Sequence, residues 1–523
     1  MAGCGAGTFT KRSHSAPYNR SPMLATTSIL TDRPAADRTL ARVFFACVAL
    51  VTAYRLVALG RLDLDPYVDE AYYRGWAQAL DWGYYSKPPL IAALLALSES
   101  LFGDTLFALK APSLILYPAT ALLIHRLGCT LFDARVGLWA GLAFLTLPAV
   151  SALGLFASTD APLLFCWALG LLLLWHALEQ GRLGQWLGVG LIAGLGLMSK
   201  YTMIAFVGTT FLALLAHPAG RRQILRPAPW AGLLLTAAIF APNLWWNWRH
   251  GFPTFQHTAE ITRVGARGWH PEELGEFLAA QWLSFGPLLG LGLLLPMLKP
   301  QRLWAEPRLR FLLIFVLPLF AVVCAQALTG RANGNWAAPV FVAASVLVAA
   351  DAAPGGRRRL LLAAIALNVA LGLGLYHWQD ILAAAGKPLS GRSDPYKRAR
   401  GWSEMVQAVA PRLEAQRAIA PDTILMGDDR ELLAQLIYGL RPARYARWQA
   451  DPHIVDHYGL TAPLTAADTG PVLFVSIRRD AAALAEVTQR FDSAEHLGDI
   501  DVALYPDFHR RASIWLLKGF KGY

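Results

Sequence analysis

Apolar runs of membrane-spanning length recur along most of this chain, separated by short polar segments. A hydrocarbon core of about 30 Å takes about 20 residues of helix. On that ruler eleven spans are predicted, with an upper bound of thirteen: 40–60, 106–126, 136–156, 161–178, 185–199, 201–216, 229–248, 276–297, 310–328, 336–350 and 359–377. Only SKY separates the fifth from the sixth, so these two read equally well as one broken helix pair. The run 89–103 is too short to span and reads as a tilted or interfacial helix. After about residue 378 the pattern changes. Short β-like apolar runs (423–426, 471–477, 501–505) alternate with amphipathic helical ones (402–417, 430–439, 481–491), which predicts a small α/β domain over 378–523. The fold class expected is therefore a polytopic α-helical membrane protein with a small C-terminal α/β soluble domain.

Composition agrees with that reading and removes one class. The 523 residues are 55% hydrophobic and 16% charged, against about 25% charged in soluble proteins, and the mean hydropathy is +0.38. A net charge of +11 raises the question of nucleic acid. Residues 378–523 are balanced, with 18 basic and 18 acidic residues, and the excess lies in 1–377, clustered between apolar runs. That is the positive-inside distribution of a membrane protein, and no nucleic-acid partner is expected. With the N-terminus inside, the basic clusters at Arg126 and Arg135, at Arg221, Arg222 and Arg226, and at Arg357, Arg358 and Arg359 fall on the inner side. The segments 61–105, 158–160, 249–275 and 329–335 and the C-terminal region then lie outside. Residues 1–39 lack a signal-like apolar core and read as a disordered cytosolic tail. The five cysteines form no CxxC or Cys/His pattern, so neither a disulfide framework nor a zinc site is expected. The C-terminal region carries no GxGxxG or GxxxxGK[ST] motif, so no soluble nucleotide site is read there.

The densest chemistry lies in the first outer loop, LDPYVDEAYYRGWAQALDWGYYSKPPL, Leu64–Leu90. Read as an interfacial helix, 68–81 puts Asp69, Tyr73, Trp76 and Leu80 on one face, and Glu70 on another with Arg74 at i,i+4. Glu70 is then half of a surface ion pair or an acid working beside Asp69. Asp69 has no local partner; it is a helix-start acid or a general base. Lys87 precedes two prolines, which stiffen the backbone into an extended form. It is a phosphate ligand or an ordinary snorkelling lysine. Asp160 in FASTDAP is a helix cap or a second carboxylate facing the same space. Lys200 interrupts an apolar stretch and needs a partner or an anion. Arg331 and Asn335 sit in a late outer loop, TGRANGNWAAP.

DEAYY with GYYSKPPL after the first span, STDAP before the fourth, the lysine of GLMSKY and the late GNWAAP together resemble one family. It is the GT-C polyprenyl-phosphate-sugar glycosyltransferases, in the bacterial branch related to protein O-mannosyltransferases and to the lipid A aminoarabinose and galacturonic acid transferases. The resemblance covers about 40–377. It implies a transmembrane catalytic domain there, acting at the outer face of the bacterial inner membrane. It implies a polyprenyl-phosphate sugar as donor and a lipid, glycan or protein of the envelope as acceptor, with no cofactor and no nucleotide sugar. Carried onto this chain, it makes Asp69 the active-site acid, with Glu70 and Asp160 beside it, and Lys87 the donor-phosphate contact. Tyr84, Tyr85, Lys200, Arg331 and Asn335 are then substrate-binding candidates. The lipid A aminoarabinose enzymes carry more residues between acid pair and lysine and end in a charged residue before KP, where this chain has SKPP. A transporter or flippase for a lipid-linked sugar is the alternative; it predicts inverted repeats, which the sequence does not display.

Overall fold

The computed structural model describes residues 35–263, 268–353 and 355–523; the tail predicted over 1–39 falls mostly outside them. The first half is a run of helices: α1 (Ala35–Leu62), α2 (Val68–Ala77), α3 (Leu90–Phe102), α4 (Leu106–Leu131), α5 (Ala134–Leu145), α6 (Pro148–Leu153), α7 (Asp160–Gln180), α8 (Leu183–Ser199), α9 (Ile204–Ala216), α10 (Pro218–Gln223), α11 (Pro227–Arg249) and α12 (Pro253–Thr262). Every predicted span is helical, and the short 89–103 run is α3.

The lengths differ from the expectation. Among the described residues, six helices are long and apolar enough to cross a membrane, or seven if the bent pair Pro271–Phe285 and Pro287–Met297 is one span. That pair turns through 103° at Gly286, whose φ is +94°. The predicted span 136–156 is likewise two pieces, because Pro148 cannot donate a helical bond and starts α6 afresh. A hydropathy ruler counts apolar residues and passes over such breaks.

The bundle is packed on small residues. The Val340–Ala352 helix has nearly every side chain buried, as a helix apolar all round must be. A Cβ on Gly128 would stand 2.8 Å from the Cα of Gly137, so α4 and α5 touch backbone to backbone. Gly190 of α8 meets Gly232 of α11 in the same way, at 2.8 Å. Without a hydrophobic drive between helices in lipid, such close approach supplies the association. Gly190→Val is therefore expected to force α8 from α11 and to lower the thermal midpoint in detergent, measured by size exclusion after heating. Gly184→Val, where a side chain meets open space, is the matched control.

The C-terminal region holds a five-stranded sheet in the order β2-β1-β3-β5-β4, from β1 (Ile424–Gly427), β2 (Tyr445–Arg447), β3 (Val472–Ser476), β4 (Phe491–Tyr505) and β5 (Phe508–Phe520). β1 runs parallel to β2 and β3, and β5 antiparallel to β3 and β4. β1 and β3 are buried throughout, which is why they read as continuous apolar runs. The sheet region is fastened to the first loop. Val68 is buried among Trp402, Leu432 and Leu436. Gln435 donates to the Pro66 carbonyl (2.8 Å), and Asp65 receives the Trp402 N–H (2.7 Å). α2 is thereby clamped between the bundle and the Arg430–Leu440 helix.

Candidate active site

The two adjacent acids of α2 go to opposite environments. Glu70 is fully buried with Lys110 of α4, and the two form an ion pair. Its other contacts are the N–H of Ala157 (2.6 Å) and the N–H of Tyr67 (2.8 Å). Burial raises the Glu70 pKa, against the lowering effect of Lys110. This corrects both readings of Glu70. Arg74 is not its partner, since Arg74 pairs with Glu99 (2.8 Å) and Asp104 (3.0 Å). Nor does Glu70 face any space a substrate enters. It ties α2 to α4 and to the segment before α7.

Asp69 is 41% exposed at its side chain and binds Arg430 Nη1 at 2.9 Å. Arg430 opens its helix just after the cap Asp429 and lies 5.1 Å over the Tyr72 ring. The partner of Asp69 is not local; it comes from 361 positions away. Leu80, predicted on the face of Asp69, lies beyond the end of α2 and is exposed.

A second cluster joins three distant predicted residues. Asp160, in the first turn of α7, accepts from Lys200 Nζ (2.7 Å) and from Asn335 Nδ2 (2.7 Å). Thr159, not Asp160, occupies the cap position.

Lys87 lies in the loop between α2 and α3. Among the described residues its ammonium takes neither a hydrogen bond nor an ion pair. Burial, then the nearby Lys200 charge, bring its pKa down to about 8, with Asp69 and Asp160 acting against that. It lines a cavity of about 340 Å³ with Lys200, Tyr201, Thr258, Gln326 and Trp336. The opposite wall is apolar, formed by Ile204, Ala205, Leu319, Val322 and Val323. Ile204 is 61% and Val322 65% exposed, so this apolar wall reaches the protein surface. His257, packed 5.1 Å from the Tyr85 ring, is brought down to about pKa 4 by burial and the Lys87 charge, and is neutral near pH 7.

Tyr84 and Tyr85 are buried beside that cavity rather than in its lining. Tyr84 stacks on Trp76 at 4.5 Å, its phenol donating to the Trp76 carbonyl (3.1 Å). Tyr85 is 4% exposed. Both support the loop that presents Lys87. Arg331 also stands outside that lining. Its N–H reaches the Thr262 carbonyl (3.2 Å), but its side chain is exposed and is absent from the cavity lining. Among the described residues no group of three His, Cys, Asp or Glu is placed to hold a metal. Sequence reasoning missed Lys110 and Arg430. An isolated lysine in an apolar helix was a readable signal for the first; nothing local marked the second.

The family profile described as dolichyl-phosphate-mannose-protein mannosyltransferase matches residues 86–246. Lipid A galacturonosyltransferase RgtD of Rhizobium johnstonii is 30% identical over 435 residues, 81% of this chain and 89% of that protein. The undecaprenyl phosphate-alpha-4-amino-4-deoxy-L-arabinose arabinosyl transferase of Pseudomonas aeruginosa is 30% identical over 149 residues, 25% of this chain and 27% of its own length. The crystal structure of ArnT from Cupriavidus metallidurans bound to undecaprenyl phosphate superposes with a TM-score of 0.60 at 18% identity, over 90% of this chain and 98% of that one.

Proposed function

The chain belongs to the GT-C family of polyprenyl-phosphate-sugar glycosyltransferases, and from that premise we propose how its site moves a sugar from a polyprenyl-phosphate donor to an envelope acceptor. The carrying observation is Lys87, a cation without a partner among the described residues. It stands at the polar end of a cavity whose other wall is apolar and reaches the protein surface. A lipid phosphate has the matching shape: an anion for Lys87 and Lys200, an isoprenoid chain for Ile204, Leu319 and Val322. Asp160 and Asn335 hold Lys200 in place for that anion.

The reaction is a direct displacement. An acceptor hydroxyl oxygen forms a bond to the anomeric carbon as the bond from that carbon to the phosphate oxygen breaks. The hydroxyl proton passes to Asp69, which Arg430 holds in position. The leaving polyprenyl phosphate takes the electron pair and is stabilised by Lys87. The relative RgtD supports lipid A as acceptor and galacturonic acid as sugar. The basic clusters between the apolar runs place the N-terminus inside, and the site and residues 378–523 outside as a domain that closes over α2.

The test is transfer in vesicles containing the purified protein, an undecaprenyl-phosphate galacturonic acid donor and lipid A. Mass spectrometry should find one added hexuronic acid on lipid A; its absence, with a functional donor, would sink the acceptor assignment. Lys87 also predicts a pH signature. Its charge is present below its pKa and lost as pH rises through about 8. The donor KM should therefore climb above pH 8 in the wild type. It should be raised and flat with pH in Lys87→Met, and low and flat in Lys87→Arg. A wild-type donor KM unchanged between pH 7 and pH 9 would remove Lys87 from the phosphate site.

A further inference from the structure

One buried cation stands apart from the Lys87 cavity. Arg55, on the membrane helix α1, is 3% exposed. Its Nη2 donates to the Leu145 carbonyl at the end of α5 (2.7 Å). Its Nε and Nη1 are buried and have no partner among the described residues, and no carboxylate there pairs with it. Thr52, three residues back on the same helix face, holds another buried polar atom without a partner. The carbonyl end of α5 carries about half an elementary negative charge, so it balances only part of the guanidinium. Nη1 stands 3.7 Å from the position that a Cβ on Gly154 would take. Arg55 therefore lies under the segment between α6 and α7 that leads into Asp160.

The guanidinium lines a cavity of about 60 Å³ with Tyr54, Thr146, Ser151, Gly372 and Tyr376. At about 10–15 Å³ for each water-sized group, that is room for the oxygens of one phosphate. Apart from Arg55 its polar side chains are hydroxyls, and none is a carboxylate. Gly372 keeps the space open, since a Cβ there would stand 2.9 Å from Ser151 Oγ. Val369 and Leu373 also line the cavity and are 40% and 41% exposed, so it reaches the protein surface beside the Arg358–Tyr376 helix. The 28 residues of α1 are about 42 Å long, about 12 Å more than a hydrocarbon core. Arg55 lies about 10 Å before the C-terminal end of α1. With α1 centred in a bilayer, its Cα falls about 5 Å inside the headgroup boundary, close to the level of lipid phosphates.

We propose that Arg55 and this cavity form an anion site that takes a phosphate, with the phosphate oxygens on Nε and Nη1. The planar fork of a guanidinium suits two phosphate oxygens at once. The phosphate has two possible sources: the headgroup of a membrane phospholipid, arriving past Val369 and Leu373, or the free inorganic ion. Either one supplies the counter-charge that a cation buried in a membrane helix needs. Either one also ties α1 to α6 and to the Arg358–Tyr376 helix. The site shares no residue with the Lys87 cavity.

The test uses the full chain, stripped of lipid in a maltoside detergent, and follows its thermal midpoint on addition of phosphatidylglycerol, the matching diacylglycerol or inorganic phosphate. Phosphatidylglycerol should raise the midpoint by about 3 °C or more, and diacylglycerol, which lacks the phosphate, should not. A shift with the lipid alone assigns the site to a headgroup, and an equal shift with inorganic phosphate assigns it to the free ion. Arg55→Met and Gly372→Val should each abolish the shift, the second by filling the cavity with the cation still in place. Lys87→Met should keep it. Without added phosphate Arg55→Met should be at least as stable as the wild type, because it strands no charge; an arginine that only caps α5 would lose stability in both conditions. The proposal is overturned if the wild-type midpoint responds to neither phosphate source, which leaves Arg55 solvated by water only. It is also overturned if Gly372→Val keeps the shift, or if Lys87→Met is the variant that loses it.

Discussion

Glu70→Gln and Lys110→Met should each leave little folded protein, while the double variant recovers a substantial part of it. Both side chains are fully buried and paired. Removing one partner strands a charge in a low-dielectric interior, at a cost of about 3–5 kcal/mol. That is a large share of the roughly 5–15 kcal/mol that holds a typical fold together. In Glu70→Gln the stranded group is the Lys110 ammonium, left with little but the Phe156 ring at 4.6 Å. In Lys110→Met it is the Glu70 carboxylate, which keeps the N–H groups of Ala157 and Tyr67 but loses its counter-charge. The double variant strands no charge and keeps the amide contacts to the backbone. Size exclusion with fluorescence detection after a heat step reads all three. A Glu70→Gln single variant as stable as the wild type would show that the pair does not hold α2 to α4.

Asp69→Asn should do the reverse: a well-folded protein whose turnover falls about a thousandfold, within the range for losing a general base. Asp69 is 41% exposed and its Arg430 contact is at the surface of the site. An ion pair so placed contributes about 0–1 kcal/mol to stability, so folding should be almost unaffected. Donor KM should change little, because phosphate binding rests on Lys87. Full turnover in a folded Asp69→Asn protein would end the base assignment. Arg430→Met separates the two parts of the argument. If Arg430 aims Asp69, turnover should fall in that variant with the donor KM unchanged, and Arg430→Lys should recover part of it. A purely structural Arg430 would lower stability and leave the turnover of the folded protein where it is. The contrast between neighbours is the point: Asp69 and Glu70 differ by one methylene and one position, and the expected losses fall on turnover for one and on folding for the other.

Much of this was legible in the chain. The apolar runs coincide with the six helices that are long and apolar enough to cross a membrane among the described residues, because a helix in lipid must carry an apolar surface over its whole length, but they overcounted the spans. The change of pattern after residue 378 located the sheet region, although the β4–β5 hairpin was missed over most of its length, where burial is patchy and alternation weak. Asp69, Lys87, Asp160, Lys200 and Asn335 stood out because a polar group beside a membrane span is costly to keep without a use. The structure joins Asp160, Lys200 and Asn335 directly, across gaps of 40 and 175 residues.

What the sequence by itself determined was therefore which residues carry charge at the membrane boundary and which stretches must be helices, since both depend on local composition and spacing. Tertiary structure alone decided what each charge is for. Helical geometry placed Glu70 one turn from Arg74, but the three-dimensional packing drives α2 against α4 and gives it Lys110 instead. The same packing brings Arg430 from the far end of the chain onto Asp69. It leaves Lys87 with neither a hydrogen bond nor an ion pair among the described residues, in a cavity with an apolar wall. Pairing between charges is settled by distance in space, and distance in space is the quantity a linear pattern does not contain.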